Sequence, residues 1–135
     1  MIIAAVDYGR RRIGIAATGE HGVVFPAAVI EQRSRKLSLE AVGRRLAQLG
    51  AERVIVGWPL NMDGSAGVQA AAAEKFAAEL RLTTGLTVEL FDERLSSYEA
   101  RERLRAAPAG SKRGKPLDAV AACVILESWV QSQKR

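Results

Sequence analysis

The chain has one cysteine, Cys123, and one histidine, His21, among its 135 residues. A lone thiol forms no internal disulfide; set in an apolar helical stretch, Cys123 reads as a small hydrophobe in a reducing compartment. With no second cysteine, a thiolate zinc site is excluded. His21 lies far from any candidate nucleophile, which removes a Ser-His-Asp triad. No apolar run approaches the roughly 18 residues of a membrane span. The N-terminus enters a strand pattern without a basic leader, so a cytoplasmic location is expected. The stretch GSKRGK at 110–115 is one residue short of a phosphate-binding loop, lacks a preceding strand and runs into Pro116.

What is present describes an ordinary globular domain. The chain is 48% apolar and 26% charged, and its length suits a single domain over 1–135, with no internal repeat and no dividing linker. The net charge of +5 is uneven. Acidic and basic residues cancel over 1–100, whereas 101–135 carries eight basic residues against three acidic ones. A basic end on a balanced domain favours a polyanionic partner such as nucleic acid.

Ile2–Val6 is a continuous apolar run, the pattern of a strand covered on both faces. Ile13–Ala17 resumes as a second strand, so Tyr8–Arg12 should be a hairpin turn, with Gly9 taking a dihedral that other residues avoid. Gly22–Ile30 reads as a third strand, and Pro26 within it assigns it to a sheet edge. Leu39, Val42, Leu46 and Leu49 then repeat at helical spacing, with Arg44 and Arg45 turned outward and Gly50 as the stop. Arg53–Gly57 is a fourth strand, followed by a turn-rich loop from Trp58 to Ser65. Val68, Ala72, Phe76 and Leu80 mark a second helix, and Thr87–Phe91 a fifth strand. Ser96 is placed to cap a short helix carrying Tyr98, Ala100 and Leu104. Residues 106–115 read as a mobile loop. Pro116 opens a last helix that buries Val120, Ala121, Val124 and Ser128. The order β-β-β-α-β-α-β-α-α predicts an α/β fold: a mixed sheet with helices on its faces.

Three carboxylates occupy comparable positions in this layout. Asp7 ends the first strand, Asp92 and Glu93 end the fifth, and Asp118 begins the last helix. Sites in open α/β sheets form at the carboxyl ends of strands. Side chains alternate along a strand, so Asp92 and Glu93 aim apart and one of them at most points into a given site. Asp7, Glu93 and Asp118 are the expected cluster, with Asp92 the alternative to Glu93. Converging carboxylates repel unless protons or cations sit among them, and hard divalent ions with oxygen ligands are the usual answer. Taken singly, each has a plainer role: Asp7 in a turn, Asp118 against a helix N-terminus, and Asp92 or Glu93 in an ion pair with Arg94.

Four stretches together resemble the YqgF/RuvX family of the RNase H-like superfamily. They are Asp7-Tyr8-Gly9-Arg10-Arg11-Arg12-Ile13-Gly14-Ile15-Ala16, the loop from Val56-Gly57-Trp58-Pro59 to Gly64-Ser65, Phe91-Asp92-Glu93-Arg94-Leu95-Ser96-Ser97, and Leu117-Asp118-Ala119-Val120-Ala121-Ala122. Trp58, in place of an aliphatic residue, and Ser97, in place of threonine, are the departures. The resemblance implies an RNase H-like fold, a five-stranded mixed sheet whose first three strands are antiparallel, and a metal-dependent endonuclease. Asp7, Glu93 and Asp118 would be the catalytic metal ligands of a two-metal site for Mg²⁺ or Mn²⁺, in which two ions about 3.5–4 Å apart serve an in-line displacement. The substrate expected first is the precursor of small-subunit (16S) ribosomal RNA. Four-way DNA junctions are the alternative, and a non-catalytic nucleic-acid-binding domain is a further one. A two-strand substrate would suit a homodimer.

Substrate contacts are expected from Arg10, Arg11 and Arg12 on the turn after Asp7. Lys112, Arg113 and Lys115 are suited to neutralising a phosphate backbone. Asn61 and Arg94 are further candidates, and Trp58 could stack on a nucleotide. An Asp-x-Gly hairpin also opens the actin-like kinases, but that fold needs two such lobes and this chain has length for one.

Overall fold

The computed structural model describes residues 1–96 and 117–134. Five strands form one sheet in the order β3-β2-β1-β4-β5. They are β1 (Ile2–Tyr8), β2 (Arg12–Thr18), β3 (Val24–Glu31), β4 (Ala51–Trp58) and β5 (Thr87–Asp92). The first three are antiparallel neighbours, and β1, β4 and β5 run parallel. Helices α1 (Arg35–Leu49), α2 (Val68–Thr84) and α3 (Leu117–Gln133) cover the sheet. Short 3₁₀ turns lie at Glu20–Gly22 and Glu93–Leu95.

Alternation along the strands divides the core in two. Val6, Val54, Val56 and Val88 face α1 and α2, where they meet Val42, Leu46, Phe76 and Leu80. Ala5, Ala16, Ile55 and Phe91 face α3, where they meet Ala122, Cys123, Leu126 and Trp129. The helices therefore lie on opposite faces, and the carboxyl ends of β1, β4 and β5 line up along one edge of the sheet. Tyr8 stacks on Phe76 with centroids 4.3 Å apart, tying the end of β1 to α2; such a ring pair adds about 0.5–1.5 kcal/mol beyond its buried area.

β3 is an edge strand, as Pro26 requires. Its pairing with β2 shifts at Ala27, between the partners Ala16–Pro26 and Ile15–Ala28. Arg45, expected to point outward, instead reaches back to this bulge and donates from Nη2 to the Ala27 carbonyl, 3.1 Å away. A carbonyl freed from the ladder needs a donor, and the sequence does not reveal that pairing. Gly9 also differs from expectation: its φ is not positive. Glycine is needed there for space, because a Cβ would collide with the Arg12 carbonyl oxygen in the tight turn.

Two helix faces are corrected. Val68 is 86% exposed, and α2 buries Ala70, Ala73, Phe76, Ala77 and Leu80. In α3 the buried residues are Ala119, Ala122, Cys123, Ile125, Leu126, Ser128 and Trp129, while Val120, Ala121 and Val124 are half-buried. A helix that is apolar nearly all round gives no period from which to choose its inner face. Burial raises the Cys123 thiol to about 12, so it packs as a hydrophobe. The expected helix after Ser96, the loop at 106–115 and Pro116 lie outside the described residues. Among the described residues, no helix is long and apolar enough to cross a membrane.

Candidate active site

Asp7 is the penultimate residue of β1, and alternation from Ala5 puts it on the α3 side of the sheet. The parallel register pairs Val6 with Val56, so Asp7 and Gly57 come level at the ends of neighbouring strands. Gly57 in turn pairs with Phe91, and Trp58 with Asp92. A row across three parallel strands therefore runs from Asp7 through Gly57 to the turn that begins at Glu93.

The Glu93 carboxylate folds back over Gly57. A Cβ on Gly57 would stand 2.8 Å from Glu93 Oε2 and 2.6 Å from the Ile125 Cδ1 of α3. Burial raises the Glu93 carboxyl to about 7; the nearby charge of Asp7 contributes next, and that of Asp92 after it. Asp7 and Glu93 are thus two oxygen donors of like charge, brought together from the two ends of the sheet's parallel part. Such a pair suits a hard divalent cation, which would neutralise both.

Asp92 turns the other way. Its Oδ1 accepts from the backbone N–H of Arg94 at 2.9 Å, and its Oδ2 from Arg94 Nη2 at 2.7 Å. These hydrogen bonds hold the Asp92 carboxyl below the usual carboxylate range. Arg94 Nη1 also donates to the Met62 carbonyl at 3.2 Å, pinning the loop 59–67 to the end of β5. Within that loop, Asn61 Nδ2 donates to Ser65 Oγ at 2.9 Å, and Ser65 Oγ donates to Asp63 Oδ1 at 2.6 Å. Gly64, at φ 87, takes a left-handed conformation suited to glycine. Asn61 and Arg94, expected at the substrate, make these hydrogen bonds in and to the loop, and both are exposed. Trp58 is half-buried, and its indole N–H is buried with no acceptor among the described residues.

The remaining candidates are placed as follows. Asp118 is the second residue of α3, the helix whose Ile125 reaches Gly57, but its side chain lies outside the described residues. Among the described residues no group of three potential ligands is placed to hold a metal. Arg10, Arg11 and Arg12 are exposed at the hairpin after Asp7, and Arg12 stands opposite Glu31. Lys112, Arg113 and Lys115 lie outside the described residues. Sequence reasoning missed the role of Gly57. A glycine inside an otherwise apolar strand, one residue from its end, was the available signal of a close approach.

The strand order, three antiparallel strands followed by two parallel ones, is that of an RNase H-like domain. The fold is shared with Thermus thermophilus RuvC in complex with a Holliday junction, at a TM-score of 0.67 and 14% identity over 99% of this chain and 96% of that one. The chain belongs to the RuvX family, whose model, described as Holliday junction resolvase, matches residues 1–132. It is 42% identical to a protein of Anaeromyxobacter sp. (strain Fw109-5) over 95% of both chains. It is 36% identical to one of Geobacillus thermodenitrificans (strain NG80-2) over 96% of both. Both relatives are provisionally named pre-16S rRNA nuclease.

Proposed function

We propose that this chain is a divalent-metal-dependent endonuclease that hydrolyses phosphodiester bonds in structured nucleic acid, with the 16S ribosomal RNA precursor as its substrate. The observation that carries the reading is the half-buried Glu93 carboxylate, folded over Gly57 within electrostatic reach of Asp7 at the carboxyl edge of the parallel strands. Asp7, Glu93 and Asp118 would hold Mg²⁺ or Mn²⁺ in a two-ion site. When bound, the ions supply an activated water and stabilisation of the leaving oxygen.

The chain's own residues supply the arrangement. Asp7 presents its oxygens from the end of β1 and Glu93 from the turn that follows β5, and Gly57 leaves the space into which Glu93 folds. Asp92 and Arg94 hold the loop 59–67 beside that edge. Arg10, Arg11 and Arg12 place positive charge directly after Asp7, where a substrate phosphate would lie. The names of the relatives support RNA as the substrate. A second reading, cleavage of four-way DNA junctions, is favoured by the family description and by the fold shared with a junction-bound resolvase.

The purified protein is to be incubated with Mn²⁺ and either precursor ribosomal RNA or a four-way DNA junction, with EDTA as control. Metal-dependent cleavage of the RNA is expected, and its loss in Asp7→Asn. Cleavage of the junction alone would favour the second reading; cleavage of neither would refute the assignment.

A further inference from the structure

Two segments far apart in sequence meet at the hairpin that follows Asp7. The backbone N–H of Gln32 donates to the Arg11 carbonyl at 2.8 Å, and Gln32 Nε2 donates to the Gly9 carbonyl at 2.8 Å. One residue on, the Arg33 N–H donates to Ser38 Oγ at 3.3 Å, and Ser34 caps α1 by accepting from the Leu37 N–H at 3.1 Å. The β1–β2 hairpin, the end of β3 and the first turn of α1 are thus fastened into one surface.

Arg10, Arg11, Arg33 and Lys36 all stand exposed on that surface. None of the four side chains makes an ion pair or hydrogen bond with another described residue. Their basic neighbours differ: Arg35 pairs with Glu79 at 3.0 Å, and Arg12 is set against Glu31 across the strand pair. The acidic residues closest in the chain are Glu31, just before Arg33, Asp7, one turn before Arg10, and Glu40, one helical turn beyond Lys36. Four cations held together without internal partners create a local positive potential that a polyanion would neutralise. Exposed arginines and a lysine on a hairpin and a first helical turn suit contact with phosphates, which fixes the register and orientation of a duplex.

We infer that the β1–β2 hairpin and the start of α1 form one phosphate-binding track, carried by Arg10, Arg11, Arg33 and Lys36, along which a duplex arm of the substrate runs away from Asp7. This rests on the reading of the substrate as nucleic acid. It adds a direction and two residues, Arg33 and Lys36, which lie more than twenty positions from the hairpin in sequence.

Binding is measured by fluorescence anisotropy with a labelled DNA duplex of arbitrary sequence, in EDTA, across a salt series. Each phosphate contact contributes about −0.9 to the slope of log affinity against log salt. The variant R33A/K36A is expected to flatten that slope by nearly two contacts' worth, with an unchanged melting temperature. The control K75A/K134A, which removes two charges elsewhere, should leave the slope as it is. An unchanged slope in R33A/K36A overturns the track, and so does equal flattening in both variants, which would mean diffuse charge. Because no metal is present, a failure of the nuclease reading shows separately, as absent cleavage with an intact salt slope.

Discussion

Glu93 occupies the space that a side chain on Gly57 would fill. Its Oε2 lies 2.8 Å, and its Cδ 3.2 Å, from where a Cβ on Gly57 would be. The middle strand of the parallel trio thus contributes no side chain at Gly57, and the turn after the next strand supplies a carboxylate in its stead. That carboxylate is thereby brought within electrostatic reach of Asp7, two strands from its own.

Gly57→Ala should therefore displace Glu93 and weaken Mn²⁺ binding by about tenfold, equivalent to about 1.4 kcal/mol. The added methyl also meets Ile125 Cδ1, so overpacking should cost about 1–3 kcal/mol of stability. The double variant G57A/I125V removes that second clash. It should regain stability by thermal unfolding without regaining Mn²⁺ affinity by calorimetry. Recovery of both would show that Gly57 serves only the packing of α3.

Stability without metal should depend on Glu93 and pH. The carboxyl titrates near 7 in the folded protein, against an ordinary value of 4.5. Between those values the folded state holds a proton that the unfolded chain has released, so stability falls as pH rises through this window. Glu93→Gln removes the loss. In EDTA it should melt above the parent at pH 8 and alike below about pH 4. The full shift corresponds to about 3 kcal/mol; solvent around a half-buried group reduces this to about 1–2 kcal/mol, several degrees in melting temperature. Adding Mn²⁺ should reverse the order, because only the parent binds it well. Equal melting at pH 8 in EDTA would contradict the raised carboxyl.

Asp92 and Glu93 should separate by function. Asp92→Asn disturbs the clasp on Arg94 and loosens the loop 59–67, so cleavage should drop by less than about tenfold while Mn²⁺ binding persists. Arg94→Ala should speed limited proteolysis within that loop, since its hold on the Met62 carbonyl is lost. Arg94→Lys should not restore full protection, because a single ammonium lacks the planar fork that reaches both Asp92 and Met62. Loss of Mn²⁺ binding in Asp92→Asn would make Asp92 the ligand instead.

Much of the fold was legible because its signals are local. Continuous apolar runs mark β1 and β4, Pro26 places β3 at an edge, and Gly50 and Gly85 end α1 and α2 in left-handed caps. The divergence of Asp92 from Glu93 was expected from strand alternation; the structure shows it, with Asp92 capping the 3₁₀ turn and bonded to Arg94 while Glu93 folds over Gly57. What stayed hidden depends on contacts between distant segments. Arg45 finds a bulge carbonyl eighteen residues away, Arg94 ties the loop 59–67 to the end of β5, and the face of α3 is chosen by the sheet rather than by its own period.

The most direct test of the central claim is Mn²⁺ titration by calorimetry of the parent, Asp7→Asn and Glu93→Gln at pH 8, with folding verified by circular dichroism. The account predicts binding to the parent and its loss in each folded variant, because both carboxylates serve one site. Binding of parental strength in both variants would contradict it.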